Sequence, residues 1–197
     1  MPKCCKRDYL SNLSQDILMQ TIIELVKQDL PRVQALEYVQ ALNLPDCYIA
    51  AGFVRNVVWD HLHHKVVPTK LNDVDVIYFD SSETDPDKYL AYEKVLSSAM
   101  PGLNWQVRNQ AIMHKRNGDP QYLNSLDAMR YWPEKETAVA IRLLDKHRFE
   151  CIAAFGFDSL FRAQISYNPK RQRAVFEQRV NAKGWLITWP NLQLIYE

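Results

Sequence analysis

The sequence predicts an α+β domain in which a β-sheet is flanked by helices. Short apolar runs rich in β-branched and aromatic residues recur along the chain, the pattern of buried strands. Before and between them lie stretches whose apolar residues fall at helical spacing. Length sets the scale. The 197 residues, 47% hydrophobic and 24% charged, suffice for one soluble domain with a sizeable core. Residues 1–197 are therefore read as one domain, with N-terminal helices over 1–44, a core over 45–165 and a C-terminal helical extension over 166–197.

In chain order, Ile17, Leu18, Ile22, Leu25 and Val26 predict a first helix, with Ser14 as its N-cap. Asp29-Leu30-Pro31 breaks it, and Pro31 can open a second helix carrying Val33, Leu36, Val39 and Leu42. Asn43-Leu44-Pro45 ends that helix. Cys47 to Ala50 reads as a strand, Phe53 to Leu62 as a helix, and Val74 to Phe79 as a second strand. Helix-forming residues run from Asp87 to Met100, where Pro101-Gly102 stops them. Trp105 to Asn109 alternates as a strand does, and a short helix is expected over Ser125 to Tyr131. A hairpin follows: Thr137 to Arg142 forms one strand, Asp145-Lys146 the turn, and Phe149 to Ile152 the return. A short helix begins at Gly156. Beyond the break at Asn168-Pro169, a basic helix carries Lys170, Arg171, Arg173 and Arg179, and the aromatic stretch Trp185 to Pro190 is expected to brace the core.

Chemistry concentrates between Tyr48 and Asp80. On a strand, residues i and i+2 share a face, so Asp73 and Asp75 project side by side. Paired carboxylates repel unless something neutralises them. A hard divalent cation does so, and Mg²⁺ favours one or two carboxylates together with substrate phosphates. Upstream, the Ala51-Gly52 turn leads into a helix. Gly52 has no side chain to keep a phosphate from the backbone, and the helix start offers unpaired N–H groups and partial positive charge. Arg55 lies on the first turn of that helix.

The order of these features, Ala51-Gly52-Phe53-Val54-Arg55-Asn56 and then Asp73-Val74-Asp75, resembles the nucleotidyltransferase superfamily of the DNA polymerase β type. Within it the chain is similar to a family of bacterial nucleotidyltransferase-like proteins, through the blocks AGFVRNVVWD, NDVDVIYFD, VRNQAIMH, TAVAIR, AAFGFDSLF and WLITWPNL. The head also resembles the tRNA CCA-adding and poly(A) polymerases, which carry G-G-x-V-R-D. Here Ala51 stands for the first glycine and Asn56 for the acid, and the linker from turn to acid pair is longer than in the CCA-adding enzymes. The resemblance implies a small mixed β-sheet flanked by helices, the polymerase β-type head. It implies transfer of a nucleoside monophosphate from an NTP to a hydroxyl acceptor, with pyrophosphate as the other product. Asp73 and Asp75 would be catalytic and would hold two Mg²⁺ ions (Mn²⁺ as an alternative) roughly 3.5–4 Å apart. Ala51, Gly52 and Arg55 would hold the phosphates. A catalytically inactive domain of the same fold, binding nucleotide or a partner, is the rival. The acceptor class, whether nucleic acid, protein or small molecule, stays open. No tRNA-binding arm is recognisable, so a CCA-adding role is not expected.

Other candidates are weighed on the same footing. Glu150, in Phe149-Glu150-Cys151-Ile152-Ala153-Ala154-Phe155, is similar to the return-strand acid I-E-V-T-T-F-R of the CCA-adding enzymes. It is read either as the third catalytic carboxylate, a general base or second-metal ligand, or as a surface Glu. Should it point away, Gln106 and Asn109 come next. Asn109, Gln110 and His114 are polar residues among apolar ones, read as site wall or as groups satisfying buried polar atoms. His61, His63 and His64 lie at a helix end, where a polar or cationic His suits the dipole better than a metal would. The basic run from Lys170 to Arg179 reads as the solvated face of an amphipathic helix. A net charge of +1 carries no general nucleic-acid signature. No apolar run reaches transmembrane length, and the N-terminus lacks the apolar region of a signal peptide, so no membrane partner is expected. Cys4, Cys5, Cys47 and Cys151 have no zinc spacing, and reduced thiols fit a cytoplasmic setting.

Overall fold

The computed structural model describes residues 4–71 and 73–196, with the backbone alone for 4–13. Two helices lead, α1 (Cys4–Lys27) and α2 (Leu30–Ala41). The expected break between them is real: the Asp29 carboxylate accepts from the Arg32 N–H at 3.1 Å as the N-cap of α2, and Pro31 sits in its first turn. Ser14 is not a cap. It lies inside α1, because a serine in a helix interior costs only about 0.5 kcal/mol against alanine and no Pro or Gly breaks the chain after Cys4.

The core is a five-stranded mixed sheet in the order β3-β2-β1-β4-β5. The strands are β1 (Tyr48–Ala50), β2 (Asp73–Tyr78), β3 (Asn104–Asn109), β4 (Val139–Asp145) and β5 (Arg148–Ala153). β2 and β3 are parallel, joined through α4 (Lys88–Ala99); the other neighbours are antiparallel. Strand alternation divides the side chains between two faces. Ile49, Val74, Val76, Val107, Ile141 and Cys151 point to one face, where Ile22 and Val26 of α1, Leu36 of α2, and Phe53, Val58 and Trp59 of α3 (Gly52–Leu62) cover them. Tyr48, Ala50, Ile77 and Ala140 point to the other, where Met129 packs on them. Met129 belongs to α6 (Ser125–Met129), which follows α5 (Gln110–Asn117). Thr137, expected to open the hairpin strand, instead ends a 3₁₀ turn over Lys135–Thr137.

The C-terminal third packs beside α3 and shares the core of the first face. After α7 (Asp158–Phe161) come β6 (Gln164–Ser166), α8 (Arg173–Lys183), α9 (Trp185–Thr188) and β7 (Gln193–Ile195). β6 and β7 form a separate two-stranded parallel sheet that pins the chain end. Trp189 and Trp185 pack edge-on against Trp59, with centroids 5.2 and 6.1 Å away, so the aromatic stretch does brace the core. The Trp189 indole N–H donates to Asp60 at 2.8 Å, and the same carboxylate accepts from the Thr69 N–H at 2.7 Å and its hydroxyl at 2.6 Å. One buried acid thus ties the α3–β2 loop and the C-terminus to α3. His63 adds a second tie, with Nδ1 2.7 Å from the Trp59 carbonyl and Nε2 accepting from the Asn191 N–H at 3.0 Å. Cys47 and Cys151 are buried free thiols, and burial pushes Cys47 up to about 12. Among the described residues no helix is long and apolar enough to cross a membrane.

Candidate active site

The turn between β1 and α3 is held by backbone alone. The Ala51 N–H donates to the Val139 carbonyl at 2.9 Å, and the Ala51 carbonyl accepts from Val54 (3.2 Å) and Arg55 (2.9 Å). This places Ala51 at φ 56° and ψ −122°, a conformation that favours glycine and is costly for an L side chain. The chain keeps the glycine-type turn although alanine occupies it. No side chain caps α3, so its first N–H groups, beginning at Gly52, are left to a ligand or to water. A Cβ on Gly52 would lie 3.5 Å from the side chains of Arg55 and Asn56, ordinary contact distance. Packing inside the protein therefore does not demand a glycine at 52; what lies beyond it is the cavity.

Asp73 and Asp75 share a face of β2, as strand period dictates. Asp75 lies opposite Ala50 on β1 and beside Gln106 on β3. Asp73 sits at the strand start, where its carboxylate accepts from Asn104 Nδ2 at 2.7 Å and lies 3.9 Å from Lys183 Nζ. Burial raises the Asp75 carboxyl above its ordinary range, Asp73 adds to the rise, and Arg55, Lys183 and Arg179 partly offset it.

Arg55 supplies fixed positive charge. The residue is 6% exposed, and its guanidinium lies against the rings of both Trp185 (4.6 Å) and Trp59 (5.0 Å). It donates to the Thr137 hydroxyl at 2.7 Å and to Asn56 Oδ1 at 3.1 Å, while buried Nε has no partner. Burial pulls its pKa down to about 10, with the charge of Glu134 the main opposing influence, so it remains a cation at neutral pH.

These groups line one cavity of about 350 Å³, within the usual size of small-molecule sites. Ala51, Gly52, Arg55, Asp73 and Asp75 form one wall. The rest of the lining includes Arg179, Lys183 and Trp185 of the C-terminal extension, with Lys70, Trp132 and Thr137. Arg179 is committed to Glu134, donating from Nε at 2.6 Å and Nη2 at 3.2 Å. Reading the basic helix as a solvated face missed Arg179 and Lys183. Their spacing of four puts them on one side of α8, and that side looks into the cavity.

The structure does not bring the remaining candidates to this place. Glu150 is on β5, three strands from β2. At about 4.8 Å per strand that is roughly 14 Å, on the same face but one row further along. Its carboxylate pairs with Arg142 directly across the hairpin and accepts from the Tyr48 hydroxyl at 3.1 Å. Asn109 caps α5 by accepting from the Ala111 N–H at 3.0 Å, and it ties down Asp80 through the Asp80 N–H (3.1 Å) and carbonyl (2.8 Å). Gln110 donates to the Arg108 carbonyl at 3.2 Å. His114 packs edge-on against Tyr122, its Nδ1 buried without a partner. None of these four lines the cavity. Among the described residues no cluster of three or more His, Cys, Asp or Glu is placed to hold a metal, the histidines of 61–64 included.

A solved structure described as an NMR structure revealing a CCA-adding enzyme head domain superposes with a TM-score of 0.79 at 30% identity, covering 90% of this chain and 96% of that one. A CCA-adding enzyme in complex with CTP shares the fold at a TM-score of 0.51 and 14% identity, covering 90% of this chain and 43% of that one. No curated protein is significantly similar in sequence. The family model described as nucleotidyltransferase matches residues 37–194, which spans the sheet, the cavity and the C-terminal wall, and the chain belongs to that nucleotidyltransferase family.

Proposed function

We propose that the protein transfers a nucleoside monophosphate from a nucleoside triphosphate to a hydroxyl acceptor. The observation that carries this is the cavity itself. A same-face acid pair, an uncapped helix start at a bare glycine and a buried arginine converge in one small space. The same fold holds CTP in a CCA-adding enzyme, which makes nucleoside triphosphates the first ligands to test.

The acid pair fits a hard divalent cation. Both donors are carboxylate oxygens; burial first and the charge of Asp73 second raise the Asp75 carboxyl, and an added cation would favour its ionised form. With two carboxylates and, among the described residues, no third beside them, the donor set suits Mg²⁺ or Mn²⁺ arriving with a phosphate chain that completes the coordination. Asp73 and Asp75 would hold it; when bound, it supplies charge neutralisation at the reacting phosphate. The chain's own residues do the rest. Gly52 lets phosphate oxygens reach the N–H groups of α3. Arg55, fixed by Trp59, Trp185 and Thr137, orients the phosphates without having to reorganise. The acceptor oxygen bonds to the α-phosphorus, the bond to the bridging oxygen breaks, pyrophosphate leaves, and the hydroxyl proton passes to solvent. Catalysis then rests on positioning and electrostatics. Glu150 is given no part in it.

The distance of Glu150 from the pair favours a second reading, a domain of this fold that binds nucleotide without transferring it. Calorimetry separates binding from its failure. Triphosphate with Mn²⁺ should bind the wild type and not a folded Asp73→Asn/Asp75→Asn variant; undiminished binding to that variant refutes both readings. Pyrophosphate release in the presence of RNA, DNA, protein or metabolite pools then separates transfer from binding alone.

A further inference from the structure

We propose that Lys183 changes partner during nucleotide binding: it pairs with Asp73 in the empty site and moves to the triphosphate once a divalent cation occupies the acid pair. The inference rests on the nucleotidyltransferase reading above.

Among the described residues four cations line the cavity, Arg55, Lys70, Arg179 and Lys183, and they are not equivalent. Arg55 is buried and held against two tryptophans. Arg179 is bound through two nitrogens to Glu134, which is 1% exposed, so its charge is already matched. Lys183 is the one that stands beside the acid pair without a tight partner. It is the last residue of α8, ahead of the left-handed Gly184 that turns the chain into α9. Its side chain is 49% exposed and its ammonium approaches Asp73 only to 3.9 Å, longer than a good charge-assisted hydrogen bond. A four-carbon stem and three rotatable donors let it re-aim within the cavity.

Charge accounting says where it goes. A triphosphate brings about −4 and the acid pair −2, which one or two divalent cations leave about −4 to −2 short of neutral. That remainder falls to Arg55, Lys183 and Lys70, since Arg179 is spent on Glu134. A divalent cation at Asp73 also repels the ammonium that stood there. In the empty site Lys183 is a monovalent stand-in for that cation, and in the loaded site it is a phosphate ligand.

This predicts effects of opposite sign from one substitution. In the full chain, Lys183→Ala should bind Mn²⁺ alone several-fold more tightly, because a competing positive charge is gone. The same variant should bind a non-hydrolysable triphosphate analogue with Mn²⁺ roughly 10–100-fold more weakly, the range for losing a charge-assisted hydrogen bond. Lys183→Arg should restore both values toward wild type, which a local folding defect would not allow. If the wild type binds both ligands and Lys183→Ala changes neither, or weakens both, the exchange is wrong while the functional reading stands. If the wild type binds neither Mn²⁺ nor the analogue, the functional reading fails and takes the exchange with it.

Discussion

Gly52→Ala separates what the fold needs from what the ligand needs. Gly52 opens α3 with a backbone conformation open to any L residue, and an added methyl would meet Arg55 and Asn56 at 3.5 Å, without overlap. The folded state therefore accepts alanine. The unfolded chain loses freedom, which stabilises by about 0.4–1 kcal/mol. For a chain of this size, 1 kcal/mol corresponds to about 2–4 °C in Tm, so thermal unfolding should shift upward by about 1–4 °C. The methyl must then occupy cavity space at the helix start, where phosphate oxygens would reach the N–H groups. Losing one hydrogen bond to a charged oxygen costs about 1.5–3 kcal/mol, a fall in triphosphate affinity of roughly 10–100-fold. Thermal unfolding and calorimetric titration on the same preparation read both. A variant with wild-type affinity would show that the bare turn serves no ligand. A Tm lowered by several degrees would show that glycine is there for the backbone.

Three further outcomes follow from the same geometry. Asp75→Asn should raise stability at neutral pH while removing Mn²⁺ binding: a carboxyl whose folded pKa is raised binds more protons folded than unfolded, so stability falls as pH rises from the ordinary carboxylate range through the raised folded value. The variant should lose that slope in Tm-against-pH profiles, and an unchanged slope would mean that Asp75 is neutralised already. Glu150→Gln should leave triphosphate affinity and transfer at wild-type levels and cost at most about 1 kcal/mol by denaturant titration, as expected for a partly exposed pair with Arg142; a transfer rate lowered 100-fold would put Glu150 back in the mechanism. Thr137→Val removes the acceptor of a buried Arg55 donor and should cost about 1–3 kcal/mol of stability along with nucleotide affinity, and an unchanged Tm would show that water replaces the hydroxyl.

What the sequence made legible was local. The strand–turn–helix–strand unit over 48–78 could be read because apolar period, a glycine and an aspartate pair each act within a few residues. Asp73 and Asp75 share a face because strand period is two, whatever the rest of the chain does. The hairpin was legible too, but its place in the sheet was not. Strand order is a long-range property, and β5 lies at the edge, beyond β4 and β1. That order separates Glu150 from the pair although the residues around it resemble a catalytic motif. The C-terminal wall was hidden for a related reason. Helical periodicity tells which side of α8 faces the core through Phe176 and Val180, but not that the polar side with Arg179 and Lys183 faces a cavity. Ala51 reads as a departure from a glycine pattern, while the backbone keeps the glycine conformation through the bond from its N–H to Val139, a partner 88 residues away in sequence.

The central claim is that the α-phosphoryl group moves, with its nucleoside, from a triphosphate to an acceptor. Incubation with Mg²⁺ or Mn²⁺ and nucleoside triphosphates labelled at the α or the γ phosphorus, against RNA, DNA, protein and metabolite pools, tests it directly. The account predicts that α label enters an acceptor while γ label leaves as pyrophosphate, and that Asp73→Asn/Asp75→Asn abolishes both. Transfer of the γ label to the acceptor, or no transfer to any pool by protein that binds the triphosphate tightly, would contradict it.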